Sequence, residues 1–80
     1  MTEIGTLLDL PVGAWGEVAQ VGGDEDLRAR LTEAGFTPGE WVRVTAALPL
    51  GGALAVNLRG GTFALRRTEA ACVRIREAAP

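Results

Sequence analysis

The chain has no histidine, no lysine, no serine, no tyrosine and a single cysteine, Cys72. These absences strip out most of the equipment of catalysis: there is no imidazole for proton transfer, no amine or serine nucleophile, and otherwise only carboxylates. An enzyme is the least favoured reading. One cysteine closes no internal disulfide, which agrees with a reducing compartment without establishing one. A net charge of −2 with no lysine leaves few cations for neutralising several phosphates, so a nucleic-acid partner is disfavoured. No apolar run approaches the ~20 residues of a membrane-spanning helix, and Glu3 stands where an export signal carries basic residues. The expectation is a soluble, cytoplasmic protein with no direct membrane insertion.

What is present points to short strands. Eleven glycines and four prolines fall mostly in clusters between apolar runs, where tight links between strands need them. Eighty residues hold one core and are too few for two, so residues 1–80 are read as a single domain. In the lead-in "GTLLDLPVG", Leu7, Leu8 and Leu10 can cover one end of that core before Pro11 and Gly13 turn the chain. From Gly16 to Val21, "GEVAQV" reads as a first strand with a bulge or bend, ended by Gly22 and Gly23. Asp24 to Ala34 reads as the one helix, with Leu27, Leu31 and Ala34 forming its apolar stripe. Asp24 is placed to cap it, Glu25 and Asp26 suit its first turn, and Gly35 can take the left-handed position at its end. Arg28 and Arg30 follow Asp24 and Asp26 by four residues, the spacing of exposed ion pairs.

Beyond the helix, Phe36 packs back on its last turn, and "TPGE" from Thr37 to Glu40 fits a type II turn. In "WVRVTAAL", Val42, Val44, Ala46 and Leu48 alternate inward against Trp41, Arg43, Thr45 and Ala47 outward. "ALAVNL" alternates through Leu54, Val56 and Leu58, Gly60-Gly61 makes a hairpin link, and "TFALR" alternates through Phe63 and Leu65. A polar turn at Thr68-Glu69 precedes "CVRIR", with Val73 and Ile75 inward and Arg74 and Arg76 outward, and the tail Glu77–Pro80 is expected to fray. About five short strands with one inserted helix are the proportions of a small, mainly β, partly open barrel.

Few residues invite a chemical role. Asp24, Glu25 and Asp26 form the only acidic cluster, and helix-start charge accounts for it. Neighbours so close in sequence, without histidine or cysteine support, build no selective ferrous site. Cys72 beside Val73 reads as a small core filler. "RGG" at Arg59 to Gly61 occurs once, between two strands, and reads as a hairpin link. No catalytic, cofactor or metal residue is therefore assigned. Trp41 and Leu50 are large apolar groups that the alternation leaves outside, with Trp15 unplaced. Either they cap open barrel ends or they form a patch for a partner; tryptophan is enriched at interface hot spots. The expected contact surface is Trp41, Leu48, Pro49 and Leu50, with Arg66 and Arg67 as rim charges.

The assembled pattern, "LPVG" at Leu10 to Gly13, "RLTEAGFTPGEWVRV" at Arg30 to Val44, "LPLGGALAVNLRG" at Leu48 to Gly60 and "ALRRTEAACVRI" at Ala64 to Ile75, resembles the FeoA family over nearly the whole chain. The combination in this order is far more specific than any one piece. The resemblance implies an SH3-like barrel with an inserted helix, acting without a cofactor on FeoB, the membrane transporter with a GTPase domain that imports ferrous iron. It implies a cytoplasmic protein, held at the inner membrane through that partner. The same fold occurs as the C-terminal domain of iron-dependent repressors, so a regulatory interaction module acting on an iron-dependent repressor or another protein is the alternative. Self-association through the same surface also stays open.

Overall fold

The structure, a computed structural model, describes residues 5–78. Its strands are β1 (Gly5–Thr6), β2 (Trp15–Val21), β3 (Trp41–Ala47), β4 (Leu54–Leu58), β5 (Gly61–Leu65) and β6 (Val73–Ala78). They pair antiparallel in one six-stranded sheet of order β1-β6-β2-β3-β4-β5. The terminal strands β1 and β5 do not pair with each other, so the curled sheet is a partly open barrel. All five expected strands form. The sixth, β1, is two residues of the lead-in that pair with Ile75 and Arg74, too short to show any period.

The inner face follows from the alternation. Val18, Val42, Val44, Leu54, Val56, Leu58, Leu65, Val73 and Ile75 are buried in one cluster with Leu7, Leu10, Leu31, Phe36 and Ala70. Among the described residues no polar or charged side chain is buried, so apolar burial, at about 1.5–3 kcal/mol for each large side chain, carries the core with no polar group to compensate. Phe36 is fully buried and meets Phe63 edge to face at 5.7 Å between ring centroids. The lead-in closes one end of the barrel as a 3₁₀ turn at Leu7–Asp9, where Thr6 Oγ1 accepts from Leu8 N and Asp9 Oδ2 accepts from Thr6 N.

Helix α1 (Glu25–Ala34) forms where its end signals put it. Asp24 Oδ1 accepts from Leu27 N at 2.8 Å. At the other end Gly35 sits at φ +114°, while Gly35 N–H bonds the Thr32 carbonyl and Phe36 N–H the Leu31 carbonyl, both at 3.0 Å. That is a Schellman closure, and it delivers Phe36 into the core beside Leu31. The expected intrahelical pair does not form at Arg30, which reaches Glu69 at 3.8 Å instead. The tertiary partner lies on a second, one-turn helix, α2 (Arg67–Ala70). This helix replaces the polar turn expected at Thr68-Glu69: Glu69 Oε1 accepts from Arg66 N at 2.7 Å and stabilises a helical turn, with Ala70 buried beneath it. Cys72 falls in the link before β6 and is half-buried. β6 runs on through Ala78; of the tail expected to fray, Ala79 and Pro80 lie outside the described residues.

The type II turn forms as expected, with Glu40 N–H bonding the Thr37 carbonyl at 3.0 Å and Gly39 at φ +95°. The bulge expected in β2 forms, with register shifts against β6 on both sides of Val18, and the alternation expected in β3 fails in one place. Val44 pairs with Val56, but Ala46 pairs with Ala55, so β3 holds one residue more than β4 across Thr45. This bulge reverses the phase of everything after it. Ala46 and Leu48, expected inside, are exposed.

Candidate docking surface

Beyond the bulge the chain leaves the end of β3 and returns to β4 through a short projecting arm, Leu48 to Ala53. Leu48 N–H bonds the Ala53 carbonyl at 3.0 Å and Gly52 N–H the Pro49 carbonyl at 3.2 Å, which leaves Leu50 and Gly51 as a two-residue turn. Both have positive φ, +58° and +76°, the geometry of a type I′ hairpin turn. Its first position suits Asn, Asp or Gly, and a leucine there is strained. Leu50 is also wholly solvent-exposed, and Leu48 is 60% exposed. Two unfavourable features thus meet at one tip, and no packing within the chain offsets them.

Both residues expected as rim charges, Arg66 and Arg67, lie beside the arm. Pairing of Leu54 with Leu65 sets the base of the arm beside the end of β5, directly before Arg66 and Arg67. The Arg67 stem passes the tip, since a Cβ built on Gly51 would lie 3.7 Å from Arg67 Cδ. Arg66 and Arg67 are both exposed. Leu48, Pro49, Leu50, Arg66 and Arg67 therefore share one end of the molecule.

Trp41 does not. It starts β3, roughly 20 Å along the strand from the arm, and is half-buried opposite Glu17. Trp15 shares its outer sheet face, with the Arg43 guanidinium 5.8 Å from its ring centroid and Arg43 Nε bonded to the Gly13 carbonyl. Val12 is an apolar residue that the sequence reading passes over. It is 58% exposed, and the Gly13 N–H to Val44 carbonyl bond seats it next to the base of the arm. Its signal was its place in "PVG", a turn at which a β-branched residue has no inward direction.

Nothing comparable to a reaction centre accompanies this surface. A depression along α1 is lined by Glu25, Asp26, Arg28, Ala29, Thr32 and Glu33, all from the solvent side of one helix. Among the described residues no three His, Cys, Asp or Glu side chains converge to hold a metal ion. No helix among them is long and apolar enough to cross a membrane.

A six-stranded, partly open barrel of this size, with one inserted helix and a projecting hairpin, is a small SH3-like domain. The FeoA domain model matches residues 5–77, and the chain belongs to the FeoA family. FeoA of Stenotrophomonas maltophilia, solved with zinc and described as a prokaryotic SH3 domain protein, is 36% identical with a TM-score of 0.78, covering 88% of this chain and 87% of that one. The FeoA protein of Chlorobium tepidum is 31% identical with a TM-score of 0.82, covering 89% of this chain and 68% of that one. A manganese-dependent transcriptional repressor has a TM-score of 0.80 at 21% identity, with 40% of its length covered, and shares the fold alone. A comparison with curated protein sequences returns no match.

Proposed function

We propose that this protein is an accessory subunit of bacterial ferrous iron uptake that acts by docking on an FeoB-type transporter from the cytoplasmic side. Family membership supplies the transport context; the Stenotrophomonas relative is described as a candidate activating factor for ferrous iron transport. The observation that carries the docking mechanism is Leu50, fully exposed and strained at the tip of the arm. Leu48 and Pro49 extend the apolar contact, and Arg66 and Arg67 form a cationic rim that selects an acidic border on the partner.

The test compares ferrous uptake through FeoB, and co-purification with FeoB, in one strain carrying the natural chain or Leu50→Asp. The substitution is expected to reduce both while leaving the melting temperature within about 2 °C, because Leu50 buries nothing in the monomer. Unchanged uptake and unchanged association would end the proposal. If the variant unfolds, Leu50 is a core residue and the surface is wrongly placed. The repressor-like fold supports a second reading, a regulatory module acting on a transcriptional repressor. That reading predicts altered iron-responsive transcription with transport intact.

A further inference from the structure

β5 ends the sheet on one side with no strand beyond it. The turn between β4 and β5 is Arg59-Gly60, both at positive φ, so Gly61 opens β5 rather than sharing the turn with Gly60. In a hairpin closed by a two-residue turn, the flanking pair exchanges both backbone hydrogen bonds, and every second pair repeats that pattern. Leu58 with Gly61, Val56 with Phe63, and Leu54 with Leu65 are then the bonded pairs. The N–H and C=O groups of Thr62 and Ala64 point the other way, out of the sheet. No backbone group among the described residues bonds to them, and both side chains are exposed.

Open edges are usually blunted by shortness, charge or proline. The opposite edge obeys this, since β1 has only two residues. β5 has five, Gly-Thr-Phe-Ala-Leu, with neither charge nor proline. Its charges stand at the two ends and share one sign: Arg59 in the turn before it, Arg66 and Arg67 directly after it. Residues 58–68 contain no acid, although the chain as a whole carries −2. None of these three arginines makes an ion pair among the described residues.

We infer that the outer edge of β5 is a strand-addition site for an extended, acid-flanked segment of another protein. Its backbone pairs with Thr62 and Ala64, and its terminal carboxylates meet Arg59 at one end and Arg66 with Arg67 at the other. β5 itself runs roughly 13 Å from Gly61 to Leu65, so five paired residues with one or two more at each end to reach the arginines set the segment at about seven to nine residues. A second copy of this chain is the poorer occupant. Two β5 strands paired antiparallel about Phe63 would bring the Arg59 turn of each copy to the end where the other copy carries Arg66 and Arg67, and gathering like charges there is destabilising. This site shares Arg66 and Arg67 with the rim of the Leu50 surface but does not use Leu50, so Leu50→Asp, expected to reduce transporter docking, is expected to leave peptide binding at β5 unchanged.

The test uses the full chain and two synthetic nonapeptides, Asp-Glu-Thr-Val-Thr-Val-Thr-Glu-Asp and the same peptide with lysine at its acidic positions. In an ¹⁵N-resolved titration the acidic peptide is expected to shift the Thr62 and Ala64 amides and to protect them from exchange, whereas the lysine peptide does neither. Ala64→Pro removes an outward N–H and spares the β4 ladder, so it is expected to weaken binding roughly tenfold with cooperative unfolding retained. Should that variant fail to fold, the Arg59→Glu, Arg66→Glu double variant keeps the backbone and is expected to reverse the peptide preference. The inference is overturned if neither peptide binds at about 1 mM, if binding is indifferent to both variants, or if the shifts lie away from β5. Protection of Thr62 and Ala64 that rises with protein concentration, peptide being absent, would also overturn it by making a second copy the occupant.

Discussion

Leu50→Gly is expected to stabilise the folded chain while weakening its docking. Leu50 is fully exposed, so its removal forfeits no buried area, and its φ of +58° is one that glycine adopts without strain. The left-handed conformation costs a residue with a Cβ about 1–2 kcal/mol relative to glycine. Glycine's greater freedom in the unfolded chain takes back about 0.5–1 kcal/mol of that. The net gain lies between about 0 and 1.5 kcal/mol, and its centre of about 0.75 kcal/mol raises the melting temperature of a domain of this size by roughly 3–6 °C. Thermal unfolding followed by circular dichroism reads the shift, and urea unfolding with an unchanged slope confirms that stability, not the denatured state, has moved. Co-purification with the transporter is expected to fall in the same variant. A fall of the melting temperature by more than about 2 °C would show that Leu50 packs against something, refuting the reading of an unsupported tip. A rise with undiminished capture would show that the strain serves no docking role.

Two further expectations concern the scaffold. Phe36→Ala empties a fully buried site that also carries the contact with Phe63, at a cost of about 3–5 kcal/mol; that equals the whole stability a core of this size supplies, about 3–5 kcal/mol. Cooperative thermal unfolding should vanish, and a retained transition shifted by only a few degrees would contradict the central place given to Phe36. Asp24→Ala removes the side-chain acceptor of the Leu27 N–H and should cost about 1 kcal/mol in urea unfolding, with Asp24→Asn close to the natural chain. Equal losses in both variants would assign the effect to charge rather than to capping.

The core was legible because nothing polar interrupts it: Val42, Val44, Leu54, Val56, Leu58, Val73 and Ile75 are buried as their alternation requires. The helix was legible because Asp24 and Gly35 each satisfy a terminal geometry that few other residues meet. What escaped was set by pairing rather than by pattern. The extra residue at Thr45 has no local signature, since threonine is ordinary in a strand, yet it turned Ala46 and Leu48 outward. Arg30 met Glu69 because folding brings α2 within reach of α1, a contact between residues far apart in sequence. The surface was half legible. Leu50 could be seen to lack an inward place, but grouping Trp41 with it overlooked the length of β3 between them. The approach of Arg67 to Gly51 depends on Leu54 facing Leu65, which only the folded register supplies.

The phase reversal in β3 also decides how force and motion pass through the molecule. Ala46 and Ala47 still pair with β4, but from Leu48 to Gly51 every residue is exposed and lies beyond the last paired residues of β3, so this stretch is held by its own turn and not by the barrel. Such a segment opens at a lower free energy than the strands rooted in the interior. The tip can therefore tilt or be gripped by a larger body without disturbing Val44 or Val56 below it, much as a tow hook swings on its mounting while the chassis stays true.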